Sequence, residues 1–310
     1  MVKAIRILFF GTPCLAAKLL EALIINDYQI VGVITKADAK STRSKDLLPT
    51  PTKEIAQKYQ IPVFTPRRIK DDYQFIIDLK IDLIICISYG QIIPEAVLKL
   101  PRYGALNFHG SLLPKLRGAA PLQRAIEQGM KETGFTLMEM VKEMDAGMMY
   151  DKVVIPFLQN EIYTDFLKRI EPIVVDFALK SIPCYLKGKY QGVPQDINQV
   201  TFAPMLQKEE QHLSPAVLKQ DFVNKVRAFT DLPGVYLLYG LKRLKIFSVE
   251  VHDDTLGQPG LVREVTKTGL ILQVKDGTIL IKEVQIEEKS RVKALDFYHG
   301  HRDVVGKFLT

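Results

Sequence analysis

The chain has 310 residues, of which 47% are hydrophobic and 25% are charged, and its formal net charge is +7. A chain of this length is too long for one ordinary hydrophobic core, so we predict two domains. The positive charge favours an anionic partner such as nucleic acid, a nucleotide-sugar or an acidic membrane surface. No apolar run is long enough for a membrane-spanning helix. The 3 cysteines are widely spaced, which argues against a disulfide framework or a zinc site. Because the start does not read as a secretory signal, we expect a cytoplasmic protein.

The first hundred residues predict strands that alternate with helices. Apolar runs over residues 3–10, 29–35, 61–64 and 81–87 predict buried strands, and residues 14–25 have helical periodicity. Strands separated by helical segments are typical of parallel pairing, so we expect an α/β fold with a Rossmann-like, mostly parallel sheet. The turn after the first strand lacks the second and third glycines of a dinucleotide-binding fingerprint, which argues against a nicotinamide cofactor.

A long basic segment follows the second predicted strand. Residues 36–49 are long for a connection between a strand and a helix, and residues 36–70 hold nine Lys or Arg against three acids. Two interpretations stay open: a solvated surface loop, or a loop that binds the phosphates of a large substrate. The loop residues that we consider for nucleic-acid contact are Lys40, Arg43 and Lys45.

A short apolar strand over residues 104–108 leads into the sequence NFHGSLLP, which holds the strongest candidates for chemistry. Asn107 and His109 lie two residues apart, so they share one side of the strand at its carboxyl end, where α/β sheets place their ligands. Asp145 follows in a predicted turn. A lone histidine at a strand end is more often a structural hydrogen-bonding residue. Together, however, the three residues suit attack on a carbonyl: two donors stabilise the developing oxyanion, and a carboxylate orients the imidazole.

Two apolar turns are candidates for the walls of a ligand slot beside this strand end. The sequence SYGQI ends the fourth predicted strand, and SLLP follows His109. Composition alone favours core packing for SLLP, and a slot for a flat heteroaromatic ring is the functional alternative. The residues considered for ligand binding are Ser88, Tyr89, Gly90, Ile92, Ser111, Leu112, Leu113 and Pro114.

The pattern changes in the last third of the chain. A long amphipathic helix is predicted over residues 163–187, and a turn-rich polar segment follows it. After a further helix over residues 219–229, short β-type runs separated by glycine-containing turns predict a small antiparallel barrel of OB-like type. We therefore predict two domains, over residues 1–204 and 205–310. The near balance of basic and acidic residues in the second domain does not by itself predict nucleic-acid binding.

Several motifs together resemble the formyltransferase family that uses 10-formyltetrahydrofolate, and within it the enzymes that act on methionyl-tRNA. These motifs are ILFFGTP near the start, NFHGSLLPKLRGAAP around His109, ETGFTLMEM from Glu132 and MDAG around Asp145. The resemblance covers nearly the whole chain. It implies an N-terminal formyltransferase domain and a C-terminal barrel that binds tRNA.

The resemblance also implies roles for individual residues. The implied catalytic residues are Asn107, His109 and Asp145. The family's folate-binding element matches residues 111–114, its loop arginine for the tRNA acceptor end matches Arg43, and a basic linker position matches Lys208. The sequence departs from the family pattern at Asp46 and at Met205, where lysine is common, and it lacks the glycines that usually flank the loop arginine.

The resemblance thus implies transfer of a formyl group from 10-formyltetrahydrofolate to the α-amine of methionine on initiator methionyl-tRNA, for initiation of translation. The expected partners are folate and that tRNA, with no metal and no membrane, and the chain is expected to be a monomer. Three alternatives stay open: a formyltransferase for a nucleotide-sugar or purine precursor, a formyltetrahydrofolate hydrolase, and a catalytically silent RNA-binding protein. The basic loop and the barrel argue against the first two, and the intact Asn107, His109 and Asp145 argue against the third.

Overall fold

The computed structural model of the protein describes residues 5–40 and 47–310, apart from the side chain of Lys40. These residues form two compact units, each made of several segments. The first unit contains the residues up to Pro121, Thr133–Ile155 and Arg169–Ala203; the second contains Leu122–Glu132, Pro156–Lys168 and Pro204–Thr310. The chain enters the second unit for the last time at Pro204, directly after Ala203 of the first unit. A domain boundary at residue 204 stays a prediction.

The first sheet has seven strands in the order β5–β2–β1–β6–β7–β8–β9. The strands up to residue 156 are β1 (Ile7–Gly11), β2 (Ile30–Ile34), β3 (Ala39–Lys40), β4 (Leu47–Leu48), β5 (Val63–Phe64), β6 (Leu83–Ile87), β7 (Ala105–His109), β8 (Glu132–Glu139) and β9 (Met149–Pro156). Strands β5, β2, β1, β6 and β7 pair in parallel, and β8 runs antiparallel to β7. The expectation of a mostly parallel sheet in an α/β fold is confirmed.

Helices alternate with these strands. They are α1 (Cys14–Ile25), α2 (Pro51–Lys58), α3 (Phe75–Asp78), α4 (Glu95–Leu98), α5 (Pro121–Glu127) and α6 (Tyr163–Leu186). The helix predicted over residues 14–25 is confirmed, since α1 buries Leu15, Leu19 and Leu23 along one face at helical spacing. Strands β1 and β6 are buried throughout, as is typical of parallel strands covered on both faces.

The carboxyl ends of the central strands lie at the same edge of the sheet. Gly11 of β1 pairs with Ile87 of β6, and Cys86 of β6 pairs with Asn107 of β7. In a parallel α/β sheet this edge is where ligands bind. The register therefore places the NFHGSLLP sequence where the sequence pattern predicted a site.

One predicted strand is longer than the observed one, and two short strands were not predicted. The strand predicted over residues 61–64 begins only at Val63, because Pro62 has no N–H to donate to the sheet and contributes only its carbonyl oxygen, which accepts from Val33 N at 2.9 Å. The strands β3 and β4 were not predicted. They pair antiparallel at the base of the basic segment, and residues 41–46 between them lie outside the described residues.

The second sheet is antiparallel, with the order β10–β11–β14–β13–β12, and β15 pairs with β14. Its strands are β10 (Val235–Tyr239), β11 (Lys242–Asp253), β12 (Val262–Val265), β13 (Leu270–Val274), β14 (Gly277–Ile286) and β15 (Val292–Lys293), accompanied by α7 (Lys219–Phe229) and α8 (Ala294–Gly300). Phe222, Val226 and Phe229 of α7 belong to the core formed with this sheet. The predicted antiparallel sheet and the helix over 219–229 are confirmed.

The last residues of the chain connect the two edge strands of this sheet. Leu309 pairs with Tyr239 of β10, and Phe308 pairs with Leu261 beside β12. Leu238 N also donates to Thr310 O at 2.6 Å. These bonds close the open edges, so that the sheet forms a barrel.

Within the ranges 5–40 and 47–310, no helix combines the length and apolarity that crossing a membrane requires.

Candidate active site

Strand β7 carries the two predicted donor residues at its carboxyl end. Asn107 is half-buried, and among the described residues no hydrogen bond involves its carboxamide. A carboxamide without a partner among the described residues is available to donate to a bound carbonyl oxygen. His109 lies two residues further on and is only 5% exposed.

Both ring nitrogens of His109 face groups of the chain. Nε2 lies 2.9 Å from the carbonyl oxygen of Leu116. Because a carbonyl oxygen only accepts, Nε2 carries a hydrogen in this arrangement. Nδ1 lies 3.5 Å from Oδ1 of Asp145. If Nδ1 also carries a proton, the ring is an imidazolium that pairs with the carboxylate. The structure thus brings together the histidine and the aspartate that the motifs singled out, and their catalytic roles stay predictions.

Asp145 reaches His109 from the turn after β8. Its backbone has a φ of 53°, a left-handed conformation that aspartate tolerates better than most residues. Oδ2 accepts a hydrogen bond from Gly118 N at 2.8 Å. The two carboxylate oxygens therefore have different partners, and the side chain is fixed between the imidazole and the loop that follows β7.

That loop has an unusual backbone where it contacts the pair. Leu116 has a φ of 59°, and Gly118 has a φ of 122°. A Cβ atom at Gly118 would lie 2.7 Å from the carbonyl oxygen of Ala203, so the close approach requires glycine. The carbonyl of Leu116 and the amide of Gly118 are the groups that hold His109 and Asp145.

Two residues that the sequence analysis missed hold the loop in place. Gln195 Nε2 donates to the carbonyl oxygens of Asp145 and Gly147, and its Oε1 accepts from Arg117 Nε. Thr201 Oγ1 accepts from Leu116 N at 2.9 Å. Gln195 lies in the segment that was predicted as turn-rich and polar, and Thr201 follows it. No local pattern distinguishes either residue from its neighbours.

The SLLP turn is anchored more tightly than composition suggested. Ser111 is fully buried, and its hydroxyl donates to Lys115 O at 2.6 Å. Thr136 of β8 donates to Ser111 O at 2.7 Å and accepts from Leu113 N at 3.1 Å. Thr136 was also missed, although a threonine inside the apolar run of a predicted strand is a usable signal. These bonds give Ser111 a role in shaping the turn, and a direct contact with folate stays a prediction.

The other side chains of this turn differ in exposure. Leu113 is buried, whereas Leu112 and Pro114 are half-buried, and the peptide bond between Leu113 and Pro114 is cis. Leu112 packs over Gly134, where an added Cβ would lie 2.5 Å from Leu112 Cδ2. The turn therefore serves as packing, as composition favoured, and also presents half-buried apolar groups.

The SYGQI turn follows β6 directly. Ser88 and Gly90 both have positive φ angles, of 49° and 81°. Ser88, Gly90 and Ile92 are exposed, whereas Tyr89 is 2% exposed and packs edge-on against Phe10. The buried Tyr89 hydroxyl has no hydrogen-bond partner within the described residues. Ligand contacts by this turn stay a prediction.

Cys86 lies on β6 beside Asn107 and is the thiol nearest this set of residues in the sheet register. Burial raises the pKa of its thiol to about 12, and the negative charge of Asp145 acts in the same direction. A protonated thiol is a poor nucleophile, so covalent catalysis through Cys86 is disfavoured. No group of three or more His, Cys, Asp or Glu in the described ranges is arranged to hold a metal ion.

The residues considered for nucleic-acid contact are described only in part. Lys40 belongs to β3 by its backbone, and Arg43 and Lys45 lie outside the described residues. Beside them, Asp38 forms a salt bridge with Lys53 at 2.7 Å. Lys208 is exposed.

A buried arginine fixes the segment around Lys208. Arg124 is 8% exposed and donates to both carboxylate oxygens of Glu210, to Glu127 and to the carbonyl oxygen of Pro204. The hydrogen bond from Arg124 lowers the pKa of Glu210. Lys208 is therefore an exposed side chain on a segment whose backbone is anchored.

Comparisons with known proteins bear on what this geometry is for. The family described as formyl transferase matches residues 4–174, and the formyl transferase C-terminal domain matches residues 206–302. The chain is 33% identical over 309 residues to a methionyl-tRNA formyltransferase of Staphylococcus aureus (strain bovine RF122 / ET3-1), covering 98% of this chain and 99% of that protein. It is 39% identical over 312 residues to a methionyl-tRNA formyltransferase of Lactiplantibacillus plantarum, covering 98% and 97% of the two chains.

Solved structures share the fold at low identity. An N-formyltransferase from Helicobacter canadensis, in complex with folinic acid and dTDP-3-aminofucose, has a TM-score of 0.68 at 19% identity, over 89% of this chain and 98% of that one. HypX from Aquifex aeolicus has a TM-score of 0.66 at 20% identity, over 99% of this chain. This chain spans about half of HypX, covering 52% of its length. With both domains of the family matched in order along its length, the chain belongs to the formyl transferase family.

Proposed function

We propose that this protein transfers the formyl group of 10-formyltetrahydrofolate to the α-amine of methionine on initiator methionyl-tRNA. The observation that carries the proposal is the contact between His109 and Asp145, two residues along β7 from an Asn107 carboxamide that has no partner among the described residues. The chain is also similar over 98% of its length to methionyl-tRNA formyltransferases. We place the protein in the cytoplasm, where translation begins, and expect it to act as a monomer.

The reaction forms a bond between the amine nitrogen and the formyl carbon and breaks the bond from that carbon to a folate nitrogen. The proton lost by the amine ends on the departing folate nitrogen. Asn107 donates to the formyl oxygen as negative charge develops on it, and its carboxamide gives up no hydrogen bond to another described residue in doing so. Asp145 supports a positive charge on His109 and keeps its ring oriented.

His109 needs one exchange of partner to take part directly. Its Nε2 hydrogen is directed at Leu116 O, 2.9 Å away, and its other nitrogen faces Asp145. For His109 to donate to the formyl oxygen, the Nε2–H group must exchange the Leu116 carbonyl oxygen for the formyl oxygen as its acceptor. Catalytic hydrogen bonds often become aligned only when substrate binds, and the 3.5 Å separation from Asp145 is consistent with such tightening.

Folate and tRNA would meet different parts of the molecule. The half-buried Leu112 and Pro114 and the exposed Ile92 are the apolar surfaces that we assign to the folate ring. The basic residues assigned to the tRNA backbone are Lys40, Arg43, Lys45 and Lys208. Lysine and arginine bind phosphate without needing a fixed pocket, which suits the exposed Lys208.

The alternative in the same reaction class is transfer to a small amine, such as that of a nucleotide-sugar. The similarity to the Helicobacter canadensis enzyme keeps this alternative in view, although at 19% identity it concerns the fold alone. A small amine has no need of the nine basic residues between positions 36 and 70. We therefore prefer the tRNA substrate.

A labelled-formyl assay tests the proposal directly. The protein is incubated with 10-formyltetrahydrofolate labelled in the formyl group and with initiator methionyl-tRNA, uncharged tRNA, free methionine or an amino sugar nucleotide. We expect label on methionyl-tRNA and none on uncharged tRNA. Faster transfer to the sugar nucleotide, or release of free formate without transfer, would contradict the proposal and favour one of the alternatives.

A further inference from the structure

The segment from Gln195 to Ala203, which we call the strap, contacts the loop after β7 near both of its ends, through Gln195, Thr201 and Ala203. Arg117 N donates to Thr201 O at 2.9 Å, and Ala203 N donates to Arg117 O at 2.7 Å. Thr201 Oγ1 also accepts from Leu116 N. The strap therefore binds the two backbone amides, Leu116 N and Arg117 N, that flank the Leu116 carbonyl facing His109.

Gln195 extends the same support to the other partner of His109. Its amide nitrogen donates to Asp145 O at 2.8 Å and to Gly147 O at 2.9 Å, and its amide oxygen accepts from Arg117 Nε at 2.9 Å. Both amide hydrogens and the amide oxygen thus have partners with good geometry. One side chain connects the turn that carries Asp145 to the loop that carries Leu116.

Two of the residues that the strap contacts, Leu116 and Asp145, have uncommon backbone conformations. Leu116 has a φ of 59° and Asp145 a φ of 53°. Left-handed conformations are unfavourable for residues other than glycine, and they persist where the surrounding structure determines them. For Leu116 and Asp145 that determination comes from Thr201 and Gln195. The burial of Gln195 agrees with such a supporting contact, since Gln195 is half-buried whereas its neighbours Pro194 and Asp196 are exposed.

We propose that Gln195 and Thr201 are positioning residues for the formyl transfer reaction. Thr201 fixes the Leu116 carbonyl on one side of the His109 ring, and Gln195 fixes the Asp145 turn on the other side. Neither residue needs to touch substrate. This inference rests on the proposed function only for the identity of the acceptor, because the geometry concerns the His109–Asp145 pair itself.

The first test replaces Gln195 with methionine, which has similar length but cannot hydrogen-bond in the same way. We expect Gln195→Met to lower kcat about 10- to 100-fold, because small displacements of catalytic groups have effects of that size. The KM for the folate donor should change by less than about threefold, since the folate walls are separate residues. Gln191→Met is the matched control: Gln191 is an exposed glutamine in the same polar stretch, and its kcat should equal that of the wild type.

A second variant separates positioning of Asp145 from simple anchoring of Arg117. Gln195→Glu keeps an oxygen for Arg117 Nε but removes both hydrogens that face the carbonyls of Asp145 and Gly147. If Gln195 positions the Asp145 turn, Gln195→Glu should be as slow as Gln195→Met. Recovery of wild-type kcat in Gln195→Glu would overturn the proposal, because the bond to Arg117 would then be sufficient.

Thr201 supplies an independent test on the opposite side of the ring. Thr201→Val keeps the shape and removes the oxygen that accepts from Leu116 N, whereas Thr201→Ser keeps an oxygen. We expect kcat of the serine variant to exceed that of the valine variant about tenfold or more. Equal kcat values for the two variants would contradict a positioning role for the hydroxyl.

A spectroscopic measurement separates failure of this inference from failure of the proposed function. The ring signals of His109, assigned by comparison with His109→Gln, are recorded by NMR for the wild type, Gln195→Met and Gln191→Met. We expect displaced His109 signals in Gln195→Met alone, whatever amine the enzyme uses. Unchanged signals together with an unchanged kcat would overturn the inference. Absence of transfer to methionyl-tRNA by the wild type would instead contradict the proposed function.

Discussion

The loops around His109 and the described end of the basic segment over residues 36–49 differ in how deeply their side chains are buried. His109 is 5% exposed, and its partners Leu116 and Asp145 are fixed by hydrogen bonds from the strap. At the base of the basic segment, by contrast, Leu47 and Leu48 are 61% and 54% exposed. Transfer between two atoms requires directions and distances to be set, whereas attraction of a polyanion requires mainly charge. Substitutions in the two regions should therefore change different kinetic quantities.

The largest effect is expected from His109→Ala. Removing the imidazole eliminates a proposed donor and leaves Asp145 Oδ1 without the ring nitrogen that faces it, so kcat should fall about 10³-fold or more. Binding of methionyl-tRNA, measured by filter retention, should stay within about twofold, because no phosphate contact is assigned to this residue. His299→Ala, at an exposed histidine of α8, is the control. Parallel losses of binding and rate would place His109 in substrate binding and not in the chemical step.

A smaller effect on the same quantity is expected from Asp145→Asn. Asparagine can still accept from Gly118 N through its oxygen, but its NH₂ group would face His109 Nδ1 and favour the neutral ring. The kcat should fall about 10²-fold with the KM for folate little changed. A thermal melt close to that of the wild type would show that the loss is chemical. A kcat near the wild-type value would mean that the carboxylate charge is not used.

For the basic segment the comparison predicts a change in KM. Arg43→Ala should raise the KM for methionyl-tRNA about tenfold and leave the KM for folate unchanged, as expected for loss of one charge-assisted contact. The effect should shrink as salt is raised, because phosphate contacts are screened. Lys180→Ala, an exposed lysine of α6 paired with Asp176, controls for the lost charge. An unchanged KM for the tRNA would remove the case for this loop.

The smallest effect is expected from Lys208→Ala. Lys208 is exposed, and single exposed charges contribute little, so the KM for the tRNA should rise only about twofold. The slope of tRNA binding against salt should decrease by about 1 if the lysine contacts a phosphate. A loss as large as that of His109→Ala would erase the distinction between the two regions.

Parts of the fold followed directly from local patterns. The helix α1 matched its predicted range of residues 14–25, because apolar positions recur at helical spacing between Pro13 and Asn26. Similarly, α7 matched residues 219–229. By contrast, the closure of the barrel by Phe308 and Leu309 depends on partners that are distant in the chain, and nothing in the local sequence announces it.

The candidate site was predictable in the same uneven way. Asn107, His109 and Asp145 were found because they lie in long motifs and have chemically distinctive side chains. Gln195 and Thr201 were not, because their roles depend on which carbonyl or amide the fold brings within 3 Å. The positive φ angle of Leu116 was likewise not predicted, since leucine does not signal a left-handed backbone, and that of Asp145 was signalled only weakly by its residue type.

The composition of the second unit limits how this architecture can be rearranged during evolution. Its hydrophobic core includes Ile126 from the segment Leu122–Glu132, and Arg227 of α7 donates to the carbonyl oxygen of Glu161 at 3.1 Å. If only the codons after residue 204 were gained or lost, the core of the second unit would lack residues that the earlier segments contribute. The barrel core is thus completed by the segments Leu122–Glu132 and Pro156–Lys168, so a recombination event at the linker would yield two incomplete products.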